Sequence, residues 1–230
     1  MNLVVGATGT LGGGVCETLC SERKPVRALV RETSDPERVK RLDALGAEVV
    51  RGELRDAESL ARACDGVATV VSGATTIGSV GTDSISAVDR DGQLALVDAA
   101  RQAEVGHFIY VSFTGRVDTD DPLTEAKRAV EQRLCESGLI YTILRPSYFM
   151  EMWLGPALGF DLAGGSARVL GSGHQRVSWI SAHDVVRAIV ACVDNPRAHG
   201  QTIELGGPDA VSPLEIVRLA ESITGRPITA

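Results

Sequence analysis

Gly6, Gly9 and Gly12 fall three apart in "VVGATGTLG", between an apolar run and a helical pattern. In that context the first glycine permits a tight turn. The second lets backbone come close to a pyrophosphate, and the third lets helix and strand pack closely. Backbone N–H groups at the helix start then face an anion; without a ligand the same residues make only a glycine-rich turn. Arg31 closes the second apolar run, about 20 residues further on, where dinucleotide-binding sheets read the adenosine ribose. An acid there accepts from a 2′-hydroxyl, whereas a guanidinium grips a 2′-phosphate in a planar fork. Residues 23–41 carry seven basic side chains against three acidic ones, and Glu32 lies one residue past the strand end. The pattern reads as an NADP(H) cradle, with a solvated strand-end arginine as the alternative.

A second constellation could move protons. Leu123, Lys127, Val130 and Leu134 recur at i, i+4, i+7 and i+11 on one helical face, while Glu125, Arg128, Gln132 and Glu136 occupy the other. A lysine in an apolar stripe needs a polar partner, or else its stem snorkels to water. Ser112 ends a strand, either as a reactive hydroxyl or as a loop cap. Tyr148, in "RPSYFM", is a proton donor or a packing aromatic. Asp184 caps a helix that His183 precedes. His107, His174 and His199 have no metal-ligand spacing, and the five cysteines form no C-x-x-C pair. Cys16 and Cys20, one turn apart, read as small buried thiols. No metal site is expected.

The elements that must position these residues alternate. Strands are predicted at 2–5, 26–30, 47–50, 67–71, 107–112 and 140–144, with helices at about 10–21, 36–44, 56–63, 83–104 and 123–137. Asp35-Pro36 and Asp121-Pro122 start two of the helices, and Gly46 and Gly138 stop them. Such β-α repeats imply an α/β, doubly wound parallel sheet of Rossmann-like type, with ligands at the carboxyl ends of its strands. Beyond Arg145-Pro146 the alternation loosens. "YFMEMWLGPALGF" predicts one or two short apolar helices, and "GGSARVLGSGHQRVSWI" two strands around a Gly-Ser turn. A helix from Asp184 to about Asn195, a strand at 201–205 and a helix from Ser212-Pro213 follow. One domain is expected over 1–230. Residues 1–146 form the dinucleotide-binding core, and 147–230 supply mostly substrate-side elements, a small C-terminal lobe of interleaved segments.

The 230 residues suffice for a full core. A formal charge of −7 argues against nucleic acid or an anionic membrane as main partner. No apolar run approaches a membrane span and no signal sequence is evident, so a cytoplasmic protein with a small-molecule substrate is expected.

"VVGATGTLG", "RALVRETSD", "VDRDGQLALVDAARQAEVGHFIYVSF", "AKRAVEQRLCESGLIYTILRPSYFME" and "WISAHDVVRAIV" resemble the NmrA-like, NAD(P)H-binding group of atypical short-chain dehydrogenases/reductases, related to isoflavone reductase-like proteins. The resemblance spans almost the whole chain. Because members commonly run longer, it implies a further segment after Ala230. It adds Thr8, Thr10 and Leu11 to the cradle, sets Glu53 and Leu54 of "GEL" beside the adenine, and passes "SGAT" at 72–75 (Ser72, Gly73, Ala74 and Thr75) beside ribose and pyrophosphate. Pro146, Tyr148 and Phe149 become the nicotinamide-side loop. Lys127 takes the family lysine position and Ser112 the serine position. Conventional members pair that lysine with a tyrosine four residues before it; here Leu123 stands in that place, and no Tyr-x-x-x-Lys exists in the chain. Phe113, Met150, Met152 and Trp153, with Tyr148 and Phe149, would line a pocket for a flat apolar acceptor. The resemblance implies an NADPH-dependent reductase of a small carbonyl, enone or quinone. A non-catalytic redox sensor of the NmrA type is the alternative, and sugar-nucleotide epimerase a poorer third.

Overall fold

The structure, a computed structural model, describes residues 1–77, 84–116 and 119–230. Asp83, where the fourth helix was expected to begin, lies outside the described residues. Successive β-α repeats run from β1 (Asn2–Val5), α1 (Thr10–Ser21), β2 (Val26–Val30), α2 (Pro36–Ala44), β3 (Glu48–Arg51) and α3 (Ala57–Cys64). They continue through β4 (Thr69–Ser72), a π-helical stretch (Ser86–Gly92) running into α4 (Gln93–Gln102), β5 (His107–Val111), α5 (Pro122–Glu136) and β6 (Tyr141–Pro146). The later elements are α6 (Met150–Trp153), β7 (Phe160–Asp161), β8 (Ser166–Ala167), α7 (Ala182–Cys192), β9 (Gln201–Leu205) and α8 (Pro213–Thr224).

Seven strands form one sheet in the order β3-β2-β1-β4-β5-β6-β9. The ladders joining β1 to β6 are parallel, with Val5 opposite both Leu29 and Ser72, and Val111 opposite Leu144. The chain leaves β1 toward β2 on one side and reaches β4 on the other, so the order reverses between β1 and β4. In sheets of this kind the crevice at such a reversal takes the ligand. The registers bring Gly6, Arg31, Gly73 and Ser112 to the same edge of the sheet. β1, β4 and β5 are buried along their whole length, as expected for strands covered on both faces. Leu3, Val5, Val70, Phe108, Tyr110 and Ile143 of the sheet meet Leu60, Leu96, Val130 and Leu134 of the helices in one core.

The chain divides into two compact units. Met1–Arg145 and Val186–Ile203 make the first, Pro146–Val185 and Glu204–Ala230 the second. The return of 186–203 to the first unit lies outside the simple 1–146 and 147–230 division expected from sequence. In the first unit, Val186 packs on α1 at Gly14, where a Cβ would come within 2.9 Å of its methyl group.

The second unit has its own small core of Phe160, Ala167, Val217 and Ile228. The two short helices expected in "YFMEMWLGPALGF" form, as α6 and a 3₁₀ turn at Pro156–Leu158. The strand pair expected in "GGSARVLGSGHQRVSWI" does not. Only Ser166–Ala167 is a strand there, and it pairs antiparallel with Phe160–Asp161 upstream. Gly165, Gly171 and Gly173 all take positive φ and break the extended run. Val177 and Ile180 instead make single bridges to Val211 and Phe149. The start of α7 also differs from expectation. The Asp184 N–H donates to Ser181 Oγ, so Ser181 is the cap and Asp184 stands in the first turn. Among the described residues no helix is long and apolar enough to cross a membrane.

Candidate functional site

At the reversal point the first unit holds a cavity of about 500 Å³. Gly6 enters it at φ +81°, and the Gly9 N–H donates to Gly6 O at 2.9 Å, closing the turn. A Cβ at Gly12 would stand 2.2 Å from that oxygen, so only glycine lets α1 start against β1. At Gly9 a Cβ would meet the same oxygen at 3.2 Å, a much milder contact. α1 begins without a side-chain cap and without an acid in its first turn. The N–H groups of Thr10, Leu11 and Gly12, which have no partner within the helix, therefore form an anion-receptive end.

Most of the residues expected to hold a cofactor meet here. Gly6, Thr8, Gly9, Thr10, Leu11 and Gly12 form one wall; Arg31, Glu53, Leu54, Gly73 and Ala74 complete it. Thr75 of the expected "SGAT" stretch also lines the cavity, whereas sequence reasoning missed Ser34, Arg38, Arg55 and Thr76. Ser34 Oγ accepts from the Arg31 N–H at 3.0 Å, and Arg38 Nη1 donates to Thr8 O at 2.7 Å. The signal for Arg38 was present in the basic excess of residues 23–41.

Ser72 is corrected: it is fully buried, its hydroxyl donates to Gln93 Oε1 at 2.8 Å, and it does not line the cavity. Gln93 Nε2 in turn donates to Ala74 O at 3.0 Å. One residue-turn earlier, Asp89 Oδ2 accepts from both the N–H and the hydroxyl of Thr76, at 3.0 and 2.7 Å. Two buried polar side chains thus hold the loop after β4.

Lys127 and Ser112 do not line the cavity either. Lys127 is 5% exposed, which answers the question of whether its stem reaches water. Its Nζ donates to Val111 O at 3.3 Å, lies 3.8 Å from Asp89 Oδ1 and sits 5.2 Å from the centre of the Tyr110 ring. Burial pulls its pKa below the usual lysine range, and the charges of Asp89 and Glu131 oppose that pull. Ser112 is buried with its hydroxyl donating to Glu131 Oε1. Glu131 also takes Arg145 on both oxygens, at 3.0 and 2.6 Å, and Arg128 at 2.8 Å. Arg128, expected on the solvated face, turns inward and donates to the carbonyls of Phe113 and Thr114 past the end of β5. This network fixes the exit of β5 to α5.

Pro146, Tyr148, Phe149, Met150, Met152 and Trp153 belong to the second unit, whereas Phe113 is half-buried in the first. Tyr148 stacks edge-on against Trp153 and Trp179, with ring centres 5.1 and 6.1 Å apart. Met150 N–H donates to Ile180 O, and Glu151 accepts from the Ala182 N–H. Pro146 is buried. Among the described residues no cluster of His, Cys, Asp or Glu could hold a metal ion.

A doubly wound sheet, a glycine turn feeding an uncapped helix and a cavity at the strand reversal define a Rossmann-like α/β protein. Within that class the chain belongs to the NmrA-like family, whose pattern matches residues 2–230. It is 31% identical to an NAD(P)H azoreductase of Xenophilus azovorans, over 99% of this chain and 75% of that protein. It is 29% identical to the photosystem II assembly factor Ycf39 of Trieres chinensis, over 97% of this chain and 69% of that one. Among solved structures, the triphenylmethane reductase of Citrobacter sp. complexed with NADP(H) superposes with a TM-score of 0.84 at 23% identity, covering 100% of this chain and 78% of that chain.

Proposed function

We propose that the protein is an NADPH-dependent reductase of a small, flat acceptor such as a quinone, an enone or an azo compound. The observation that carries this reading is the cavity itself. An uncapped helix start faces one end of it, and Arg31, Ser34 and Arg38 stand together at its wall. That donor set suits a dinucleotide with a pyrophosphate and a further phosphate. The 31% identity to an NAD(P)H azoreductase supports the same choice.

A bound NADPH would supply the hydride, and water the proton, that reduction of such an acceptor requires. The chain's residues bind and orient. Thr10, Leu11 and Gly12 N–H groups hold anionic oxygens, and the arginines select the phosphorylated ribose. Lys127 places a buried ammonium at the end of β5, on the Val111 carbonyl and beside Asp89. A second reading, a dinucleotide-holding sensor, is favoured by one observation: Ser112 and Lys127 are already engaged, by Glu131, Asp89 and Val111 O.

One experiment tests both readings. NADPH is expected to bind more tightly than NADH, and Arg31→Ala to remove a charge-assisted bond of about 1.5–3 kcal/mol, roughly 10- to 150-fold in affinity. Equal wild-type affinities for the two nucleotides would sink the phosphate assignment. NADPH oxidation is then followed against quinones, enones and azo dyes. Turnover with at least one supports the reductase; tight binding with no turnover on any supports the sensor.

A further inference from the structure

Asp89 is fully buried in the π-helical stretch before α4. Its Oδ2 is occupied by Thr76, a residue of the cavity wall. Its Oδ1 accepts no hydrogen bond from any described residue, and Lys127 Nζ lies 3.8 Å away. A buried carboxylate is retained only where a cation or several donors balance it. The other described groups at Lys127 have another commitment or no charge. Glu131, one turn further along α5, is already held by Arg128 and Arg145. Tyr110, from β5, offers its ring face, and burial keeps its hydroxyl protonated. Val111 offers a carbonyl.

We propose that Asp89 is a positioning residue, tying the wall of the cavity at Thr76 to the Lys127 ammonium and keeping that ammonium charged. Its consequence for turnover rests on the reductase reading above; its effect on the lysine does not.

The chain has three lysines, Lys24, Lys40 and Lys127. Labelling their Cε carbons with ¹³C therefore gives a three-signal spectrum of the whole protein, with Lys127 assigned by its loss in Lys127→Met. In Asp89→Asn, which keeps an acceptor for Thr76, the Lys127 signal is expected to titrate lower by about one pH unit or more. Thr76→Val is expected to leave that titration in place. An unchanged titration in Asp89→Asn, or an equal shift in Thr76→Val, would overturn the proposal. Should Asp89→Asn not fold, Asp89→Asn/Lys127→Met is expected to fold better than the single variant, since removing both ends of a buried pair leaves no orphaned charge. A double variant no better than the single one would also overturn it. A wild-type turnover rate in Lys127→Met would remove the lysine from the reductase mechanism and leave the titration result standing.

Discussion

At the scale of single residues, Gly9 and Gly12 are identical in the sequence and opposite in consequence. Gly9 lines the cavity, and a Cβ there would stand 3.2 Å from Gly6 O. Gly9→Val is therefore expected to abolish NADPH binding, read by quenching or calorimetry, while the urea midpoint stays close to wild type. At Gly12 a single methyl would collide with Gly6 O and Ala7 Cα, at 2.2 and 2.9 Å. Gly12→Ala is expected to cost about 1–3 kcal/mol of stability in the same urea titration, by overpacking at a rigid backbone contact. Normal NADPH affinity in Gly9→Val would mean that the glycine spacing serves the turn alone. The spacing is legible from sequence, but its division of labour needs the backbone. The same holds for Asp89. A carboxylate in a helical pattern reads as solvated, yet Asp89, Gly92, Gln93 and Leu96 fall at i, i+3, i+4 and i+7, and all four are buried. That stripe was the available signal, and the two polar members concealed it.

The elements show why some stretches could be read and others could not. Strands buried on both faces are rich in apolar residues, and β1, β2 and β5 begin at residues 2, 26 and 107, where strands are predicted. The fourth helix shows no irregularity in its sequence, because a π-helical turn inserts one residue without changing the composition of the buried face. In the second unit the alternation of "ARVLGSGHQRVSW" imitates strands, but glycines at positive φ divert the chain before a ladder can form. α5 carries Lys127, Arg128 and Glu131, so its start matters to the site. There Asp121 Oδ1 accepts from the Leu123 and Thr124 N–H groups at 2.9 and 3.1 Å. Asp121→Ala is expected to cost about 0.5–2 kcal/mol of stability. Hydrogen bonds from the Thr119 hydroxyl first, then from Thr124, hold the Asp121 carboxyl down at about 2. A carboxylate with a lowered folded pKa stabilises above its unfolded pKa, and that contribution fades as pH falls through the folded value. The difference between wild type and Asp121→Ala is thus expected to be equal at pH 7 and pH 5, and to shrink only below about pH 4. A difference that stays the same well below pH 4 would show that the cap does not act through its charge.

At the scale of the whole molecule, acid stability depends on a buried junction that the sequence gives no reason to single out. His107 on β5 is 5% exposed, and its Nε2 lies 2.8 Å from the Thr142 hydroxyl on β6. That hydroxyl gives its own proton to Ala198 O at 2.7 Å. It has only lone pairs left for the imidazole, so Nε2 carries the hydrogen and donates it. Three segments of the first unit are joined by these two bonds, including the one that returns after α7. The His199 ring meets His107 edge-on at 4.7 Å. Burial first, and His199 second, pull the His107 pKa down to about 4, with Asp194 opposing. The unfolded chain binds this proton near pH 6.5, so between about 6.5 and 4 it holds more protons than the folded one. Stability is therefore complete above that window, declines as pH falls through it, and loses on the order of 3 kcal/mol to this group by its lower end. His107→Gln keeps a donor for Thr142 but does not titrate. Urea midpoints at pH 7, 5.5 and 4.5 are expected to fall more steeply in the wild type than in His107→Gln, since the carboxylates contribute equally to both proteins. Parallel declines in the two would place the acid sensitivity elsewhere in the chain.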